Sequence, residues 1–364
     1  MDVVSRPGFD LVPVAFADIP GWAGDDHGAA FAAFRRGAAV LADHPPKPRS
    51  SGLDADRLAA IIRRAGEKPA ALSPAAARDF FETHFAPHEV RPADGTAFFT
   101  GYYEPVVAGS RTRTERFSTP LYRPPPNLVE IDPDRPPPGI EPGFRFALST
   151  PGGLVPCHDR GAIQDGALDG AGLEIAWLAD PVDAFFIHVQ GAARLRLEGG
   201  GEMRVTYAAK SGHPYTAIAR ELIAMGALTR AEATMQGLRA WLAAHPEAVP
   251  GVLARNRSFI FFREAPVEDP ALGPVAAAKV PLTPGRSLAV DRLIHSFGAP
   301  VFVAAALADG QPWQRLMIAQ DTGSAIVGAA RGDIFTGSGD AAGVLAGPLQ
   351  SRGRFILFWP REAP

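Results

Sequence analysis

Two aspartates twelve residues apart, Asp321 and Asp333, are the groups in this sequence best placed to do chemistry. Asp321 follows the apolar run 316–319, which predicts a buried strand, and it opens a turn rich in Gly and Ser. Asp333 follows a second short apolar run, 325–327, and a tight Gly-rich segment. Two carboxylates framed by short buried strands indicate a functional site, because such sites perturb carboxyl pKa values. The plain structural reading is that Asp321 caps a turn and Asp333 lies on a solvated loop.

The tetrapeptide Asp-Thr-Gly-Ser at 321–324 is also found in aspartic proteases, but the rest of the sequence argues against that class. Those enzymes need two such aspartates sharing a proton, and no second Asp-Thr-Gly or Asp-Ser-Gly occurs here. A dimer with one copy per chain would supply two, but such protomers are far shorter than 364 residues. Gln320 also stands where those proteases tend to carry an apolar residue.

No other motif indicates a cofactor, a metal or a nucleophilic serine. The sequence has no GxxxxGK[ST] phosphate loop and no Gly-x-Ser-x-Gly, and 337–343 misses the dinucleotide fingerprint by one residue. Its nine His and one Cys form no HExxH or Cys-pair spacing. We therefore expect neither a metal site nor a cofactor.

Composition bounds the class of protein further. A chain of 364 residues predicts two domains, and a net charge of -3 gives no reason to expect a nucleic-acid partner. The 38 Gly and 36 Pro predict many turns and short strands. No apolar run reaches the roughly 20 residues that cross a bilayer, and the opening MDVVSRPGFD has no basic and apolar regions of a signal peptide.

The elements that must position the aspartates change character along the chain. Apolar spacing predicts helices over 25–41 and 54–65, and Ser73-Pro74 predicts the start of a third. Residues 97–107 then read as an aromatic strand. Its paired Tyr102 and Tyr103 are typical of a core, and their flat apolar faces with polar edges would also suit sugar rings. The Pro-rich stretch 111–153 predicts a long surface connection and a domain boundary.

A second, β-rich region follows that connection. Strands are predicted over 174–178, 183–190, 193–197 and 203–207, with Gln190-Gly191 at a strand end as a candidate polar contact for a ligand. His188, in an apolar run, is interpreted as a core histidine. Helices are predicted over 216–225 and from a capping box at Thr229 to about 244, before strands at 256–262, 289–291, 300–306 and 355–359.

Taken together in their order, these residues resemble the MltA family of lytic murein transglycosylases. The resemblance covers nearly the whole chain after about residue 10. The segments that carry it are Thr100-Gly-Tyr-Tyr-Glu-Pro105, 172–181, Val189-Gln-Gly191, Tyr207-Ala208, Lys210-Ser-Gly-His-Pro-Tyr215, Val280-Pro-Leu282, Asp291-Arg292, Gln320-Asp-Thr-Gly323 and Asp333-Ile-Phe335.

The resemblance implies a mainly β fold with several helices: a double-psi β-barrel into which a smaller β-barrel is inserted, with the glycan in the groove between. By this reading residues 1–106 plus 263–364 form the catalytic barrel and 107–262 the substrate-binding insert. The implied reaction cleaves the MurNAc-β-1,4-GlcNAc bond of peptidoglycan without water and leaves a 1,6-anhydro end. The family's single catalytic acid, which then acts as base, falls on Asp333, and Asp321 is the supporting carboxylate.

The same resemblance suggests which residues hold the glycan. Ser324 stands where many members have Gly, and Ala192 where many have Ser, which leaves single hydrogen bonds open but not the chemistry. The candidate substrate-binding residues are Thr100, Tyr102, Tyr103, Gln190, Gly191, Lys210, Gly323 and Ser324.

Peptidoglycan glycan strands are the expected partner, other cell-wall enzymes are a further candidate, and a monomer is expected. The substrate places the protein in the periplasm, and the family places it at the outer membrane, although the sequence shows no signal peptide and no N-terminal Cys for a lipid anchor. Two alternatives stay open at this point. One is a non-enzymatic wall protein that binds glycan on the same barrel, against which the presence of both aspartates argues. The other is a conventional muramidase that admits water.

Overall fold

The computed structural model describes residues 3–93 and 95–362. The α-helices there are α1 His27–Arg35, α2 Ala55–Glu67, α3 Pro74–His84, α4 Arg160–Gln164, α5 Pro181–Gln190, α6 Ile218–Ala224, α7 Met235–Ala244, α8 Val249–Ala254 and α9 Asp340–Ala346. Short 3-10 helices cover Phe16–Asp18, Trp22–Gly24, Arg36–Val40 and Pro246–Ala248.

The strands, in chain order, are β1 Val4–Arg6, β2 Phe9–Pro13, β3 Phe85–Pro92, β4 Ala97–Glu104, β5 Val106–Ser110, β6 Thr119–Tyr122, β7 Leu128–Glu130, β8 Phe146–Thr150, β9 Gly153–Val155, β10 Glu174–Leu178, β11 Ala192–Leu197, β12 Glu202–Lys210, β13 Ile260–Ala265, β14 Ser287–Val290, β15 Pro300–Ala306, β16 Pro312–Asp321, β17 Arg331–Ser338 and β18 Gln350–Pro360. The chain divides into two compact units, one formed by Met1–Tyr103 with Asp269–Pro364 and the other by Glu104–Glu268.

The first unit is built on a closed β-barrel. Its strands follow the order β1-β2-β3-β18-β15-β16-β14-β17-β4, and β4 also pairs with β18. That extra pairing joins six strands, β18, β15, β16, β14, β17 and β4, into a ring with no free edge. A closed barrel in a mainly β unit agrees with the fold class that the sequence predicted.

Helices α1, α2 and α3 pack with this barrel and share its core. Buried side chains such as Phe31 and Phe34 of α1 and Leu58 and Ile62 of α2 form one apolar cluster with the barrel strands. The predicted start of α3 is confirmed. The helix begins at Pro74, and the Ser73 hydroxyl accepts a hydrogen bond from the backbone N–H of Ala76. These helices fix the strands from which the site side chains project.

The second unit contains a six-stranded sheet, in the order β13-β12-β11-β5-β10-β6, and a small three-stranded sheet, β7-β8-β9. The end strands β13 and β6 also contact each other. Inside this unit the carboxylate of Glu104 is buried and accepts hydrogen bonds from two buried guanidinium groups. Arg204 Nε lies 2.5 Å from Glu104 Oε1, and Arg194 Nη2 lies 3.1 Å from Oε2.

Three sequence-based expectations for this unit are wrong. Residues 183–190 form most of helix α5 and not a strand: Asp180 caps the helix, Pro181 occupies its first turn and Gly191, at φ 78°, ends it. Because α5 is largely buried, apolar residues lie on nearly all of its faces. Its sequence therefore shows no helical periodicity of apolar residues. The Pro-rich stretch 111–153 contains strands β6, β7 and β8. The capping box at Thr229 forms its hydrogen bonds, but α7 begins only at Met235, with Thr234 as its N-cap.

Within the described residues, none of the helices combines the length and apolar character needed to traverse a lipid bilayer.

Candidate active site

Strand β14 aligns the two aspartates within the first unit. Asp321, the last residue of β16, and Asp333, near the start of β17, are both in register with Ala289 on the strand between them. The pairing of β14 with β16 shifts by one residue at this point, and the extra residue is Gln320. Gln320 is buried and accepts a hydrogen bond from Ser287 Oγ at 2.5 Å. Such a bulge redirects the next side chain, and here the next side chain is Asp321.

Asp321 is surrounded by hydrogen-bond donors. The Tyr102 hydroxyl donates to Oδ2 at 2.8 Å, and the backbone N–H of Ala277 donates to Oδ1 at 3.4 Å. Burial and, to a smaller extent, the like charge of Asp333 raise the pKa of Asp321, and the net pKa is about 6. The backbone N–H of Thr322 and the other two donors lower this pKa, because they stabilise the charged form. Asp321 therefore titrates near neutral pH while keeping three donors that favour the carboxylate.

The Thr100 hydroxyl holds Asp333. Thr100 Oγ1 donates a short hydrogen bond to Asp333 Oδ1, and Arg331 Nη2 in turn donates to Thr100 Oγ1 at 2.6 Å. Burial raises the pKa of Asp333, while the Arg331 charge and the Thr100 hydroxyl oppose that rise. A carboxyl group whose pKa is raised by burial can keep its proton closer to neutral pH, as a general acid must.

Strand β4 supplies a partner to each aspartate from one face. Thr100 and Tyr102 are two residues apart and so project to the same side, where Thr100 contacts Asp333 and Tyr102 contacts Asp321. Burial and both carboxylates raise the pKa of Tyr102 well above its ordinary value, which keeps its hydroxyl protonated as a donor. Tyr103 lies on the opposite side of the strand, buried against Gly343 of α9. The two neighbouring tyrosines therefore have different surroundings.

The remaining predicted site residues lie elsewhere. Gly323 and Ser324 belong to an exposed loop after β16, and 325–327, predicted as a strand, continues that loop without joining a sheet. Gln190 is the last residue of α5, Gly191 its left-handed cap, and Lys210 the last residue of β12 in the second unit. Their contact with glycan stays a prediction.

Sequence reasoning missed Arg331 and the loop that contains Ala277. Arg331 belongs to none of the motifs singled out in the sequence. The usable signal was its position two residues before Asp333, which puts both side chains on one face if the segment is a strand. The N–H contact from Ala277 had no sequence signal, because a backbone donor carries none. In the described part of the chain, no cluster of three or more His, Cys, Asp or Glu side chains could hold a metal ion.

Comparison with known proteins places this geometry in a family. The model of the MltA specific insert domain matches residues 98–263, and that of the 3D domain matches 286–359. The crystal structure of a membrane-bound lytic murein transglycosylase from Agrobacterium tumefaciens is 47% identical, with a TM-score of 0.89 over 96% of this chain and 98% of that one. The chain belongs to the MltA family. The resemblance seen in the sequence is thereby confirmed, together with the mainly β fold.

Two other members of the MltA family are informative. Membrane-bound lytic murein transglycosylase A of Escherichia coli K12 is 33% identical over 271 residues, which make up 71% of this chain and 65% of the relative. The match thus spans less than two thirds of that relative's own length. The structure of E. coli MltA with bound chitohexaose is 25% identical, with a TM-score of 0.66 over 100% of this chain and 94% of that one.

Proposed function

We propose that this MltA-family chain is a peptidoglycan lytic transglycosylase, which cleaves the β-1,4 bond between N-acetylmuramic acid and N-acetylglucosamine and leaves a 1,6-anhydromuramyl end. The observation that carries the proposal is the pair of barrel aspartates with raised pKa values, Asp321 and Asp333. The names of the relatives support it, since they are lytic murein transglycosylases.

Asp333 is the general acid in this proposal. Two carboxyl groups divide acid and base roles when their surroundings favour different protonation states. Asp321 accepts from Tyr102 and two backbone N–H groups, and these three donors favour its charged form above its pKa of about 6. Asp333 accepts from one hydroxyl, so it is the better proton donor of the two. The position of Asp333 in the Asp-Ile-Phe motif of the family points the same way.

The proton leaves Asp333 and returns to it within one turnover. In the first step Asp333 protonates the glycosidic oxygen, the bond to C1 of the muramyl residue breaks, and the N-acetylglucosamine-containing part leaves as an alcohol. In the second step the muramyl C6 hydroxyl attacks C1, and its proton passes to the Asp333 carboxylate. Water is not consumed. The nucleophile belongs to the substrate and is already close to C1, so one carboxyl group suffices where ordinary glycosidases use two.

The charge of Asp321 has a separate task. A negative carboxylate close to Asp333 disfavours a second negative charge, so whichever group ionises first makes the other hold its proton more tightly. The Asp321 carboxylate also stabilises the positive charge that develops at C1 of the muramyl residue when the glycosidic bond breaks. Tyr102 serves both effects by holding the Asp321 carboxylate in place.

The substrate and its location extend the same proposal. The glycan strands of peptidoglycan are the partner, in line with the E. coli relative that was crystallised with bound chitohexaose. The first unit carries the chemistry, and the second unit binds glycan through Gln190, Gly191 and Lys210. The relatives are named membrane-bound, and we place this chain in the periplasm at the outer membrane, where peptidoglycan is accessible.

Mass spectrometry of fragments released from purified peptidoglycan tests the function and its acid together. The wild-type protein should release 1,6-anhydromuramyl fragments, and Asp333→Asn should release them at least about 10²-fold more slowly, the usual contribution of a general acid. Asp309→Asn is the matched control, because Asp309 is exposed in the turn between β15 and β16.

Each contrary result points to a different error. Fragments with reducing ends would show a muramidase and refute attack by the C6 hydroxyl. Anhydro fragments at an unchanged rate from Asp333→Asn would move the acid elsewhere, with Asp321→Asn the next variant to measure. Binding to intact peptidoglycan without any released fragment would refute the enzyme and favour a wall-binding protein.

A further inference from the structure

Arg331 is embedded next to the proposed acid without touching it. It lies two residues before Asp333 on β17, yet its guanidinium reaches Thr100 of β4 at 2.6 Å, and Thr100 reaches Asp333. The guanidinium also donates to the backbone oxygen of Gly332, and its carbon lies 5.3 Å from the centre of the Phe98 ring. Contacts with the backbone and with the Phe98 ring thus hold the Arg331 guanidinium against the Thr100 hydroxyl, and that hydroxyl contacts Asp333.

Arg331, Thr100 and Asp333 form a hydrogen-bond relay, in which each hydrogen bond has a fixed donor and acceptor. A guanidinium has only donors, so the Thr100 oxygen must accept from Arg331. A hydroxyl has a single hydrogen, and with Arg331 on a lone pair of Thr100 that hydrogen points at Asp333 Oδ1. Oδ1 is therefore occupied as an acceptor. The proton that Asp333 can transfer is therefore favoured on its other oxygen, Oδ2, because the carbonyl oxygen of a carboxylic acid accepts hydrogen bonds better than its hydroxyl oxygen does.

We propose that Arg331 and Thr100 are positioning residues for the transglycosylase reaction, which fix the transferable proton on Oδ2 of Asp333 and set the pH range in which Asp333 holds it. This inference rests on the proposed role of Asp333 as the acid. It adds a residue that does not contact the reacting atoms but decides which oxygen of the acid faces them.

The charged surroundings of Asp333 determine the direction of the effect. Arg331, on the same strand, favours the Asp333 carboxylate, and Thr100 on β4 adds a hydrogen bond to it. The charge of Asp333 raises the pKa of Asp321 on β16, Tyr102 on β4 stays neutral, and the facing residue on β14, Ala289, has no charge. Burial keeps the pKa of Asp333 raised in spite of Arg331 and Thr100. Removal of the relay should therefore raise that pKa further.

The decisive measurement is the titration of the Asp333 carboxyl by carbon NMR in the protein without substrate, with Asp333→Asn used to assign the signal. Thr100→Val and Arg331→Met should each raise the midpoint by about one pH unit or more, the size of effect that a hydrogen bond or a nearby charge has on a carboxyl group. Thr100→Ser keeps the hydroxyl and Arg331→Lys keeps the charge, so the midpoint should stay within about half a unit of wild type in both.

The pH profile of kcat/KM gives the second readout. The alkaline limb of the wild-type profile reports the acid that must be protonated. In Thr100→Val this limb should move to higher pH together with the NMR midpoint, while in Thr100→Ser it should not move. A purely structural role would lower the melting temperature and leave both midpoints in place.

The relay is refuted if the Asp333 midpoint is unchanged in Thr100→Val, or if Thr100→Ser shifts it as much as Thr100→Val does. Failure of the proposed function looks different. If wild type releases no anhydro fragments, or if Asp333→Asn releases them normally, the role of Asp333 is wrong. The NMR titration reads the relay in either case, because it needs no turnover.

Discussion

Gly101 separates the two residues of β4 that hold the aspartates, and we expect Gly101→Ala to damage stability and activity together. A Cβ atom at position 101 would lie 2.8 Å from Cα and 3.1 Å from the carbonyl oxygen of Ala346, at the end of α9. Non-bonded carbon atoms prefer at least about 3.5 Å, so strand and helix must separate by roughly 0.7 Å. The obstacle is backbone and has no rotamer through which to escape.

The expected cost follows from that displacement. Overpacking of this kind destabilises by about 1–3 kcal/mol, which urea denaturation would measure. Movement of β4 also moves Thr100 and Tyr102 relative to their carboxylates. A shift near 1 Å at catalytic groups can cost about 10²-fold in rate, so we expect release of anhydro fragments to fall by about 10- to 100-fold.

A strand glycine in the second unit provides the matched control. A Cβ atom at Gly109 of β5 would meet its nearest neighbours at 3.4–3.5 Å, which is ordinary contact. Gly109→Ala should therefore be neutral or slightly stabilising. If Gly101→Ala unfolds at the wild-type urea concentration and works at the wild-type rate, the close packing of β4 on α9 does not position the site.

Three further outcomes follow from buried charges. Burial raises the pKa of Asp321 from 3.8 to about 6, so the native state binds the proton more tightly than the unfolded chain, and the stability that this proton confers is lost as pH rises from about 4 to 6. The free energy of unfolding should fall by about 1–3 kcal/mol in the wild type and should not fall in Asp321→Asn. Urea titrations of both proteins at pH 4 and pH 7 would measure this. An equal fall in both proteins would mean that Asp321 is not the group responsible. Tyr102→Phe removes a donor to Asp321 and should raise its pKa above the wild-type value, as followed by carboxyl NMR, whereas an unchanged midpoint would mean that the hydroxyl is dispensable. Glu104→Gln removes the charge that two buried arginines share, Arg194 and Arg204, and should cost about 3–5 kcal/mol of stability; a loss below 1 kcal/mol would show that solvent or rearrangement replaces the carboxylate.

The sequence predicted best where an element has its own local signal. The apolar run 316–319 is part of strand β16, and Asp321 lies at its end, as expected. Ser73-Pro74 begins α3 for the same reason, since an N-cap and a proline need only their neighbours to act. His188 is a core histidine as interpreted: its ring is buried and accepts from the backbone N–H of Ile260 at 3.2 Å. Its element is nevertheless a helix.

Prediction failed where tertiary packing overrides local pattern. The run 181–190 is buried on nearly every side, so its apolar residues have no period, and only Asp180, Pro181 and Gly191 at its ends indicated a helix. The run 325–327 lacks a neighbouring strand and stays a loop, although its residues favour strands. Periodicity describes one segment at a time, while sheet membership depends on partners elsewhere in the chain.

The site required information that no single segment contains. Thr100 and Asp333 are 233 residues apart, and only the family resemblance suggested that their segments belong together. The same resemblance pointed to Asp333 and Asp321 but could not indicate the relay from Arg331. A bulge at Gln320 and a backbone N–H from Ala277 shape the surroundings of Asp321, and both arise from the folded barrel.

Closure of the barrel by β4 and β18 has a consequence for how the protein is made. Thr100 is paired with Gln350, so β4 cannot form this pairing until β18, which is synthesised later, has left the ribosome. On the ribosome β4 emerges long before β17 and β18, and its edge stays open to wrong partners during that time. Thr100 on β4 likewise stays apart from Asp333 and Arg331 until β17 has been synthesised. A chain truncated within β18 should therefore aggregate and release none of the anhydro fragments that the proposed function predicts.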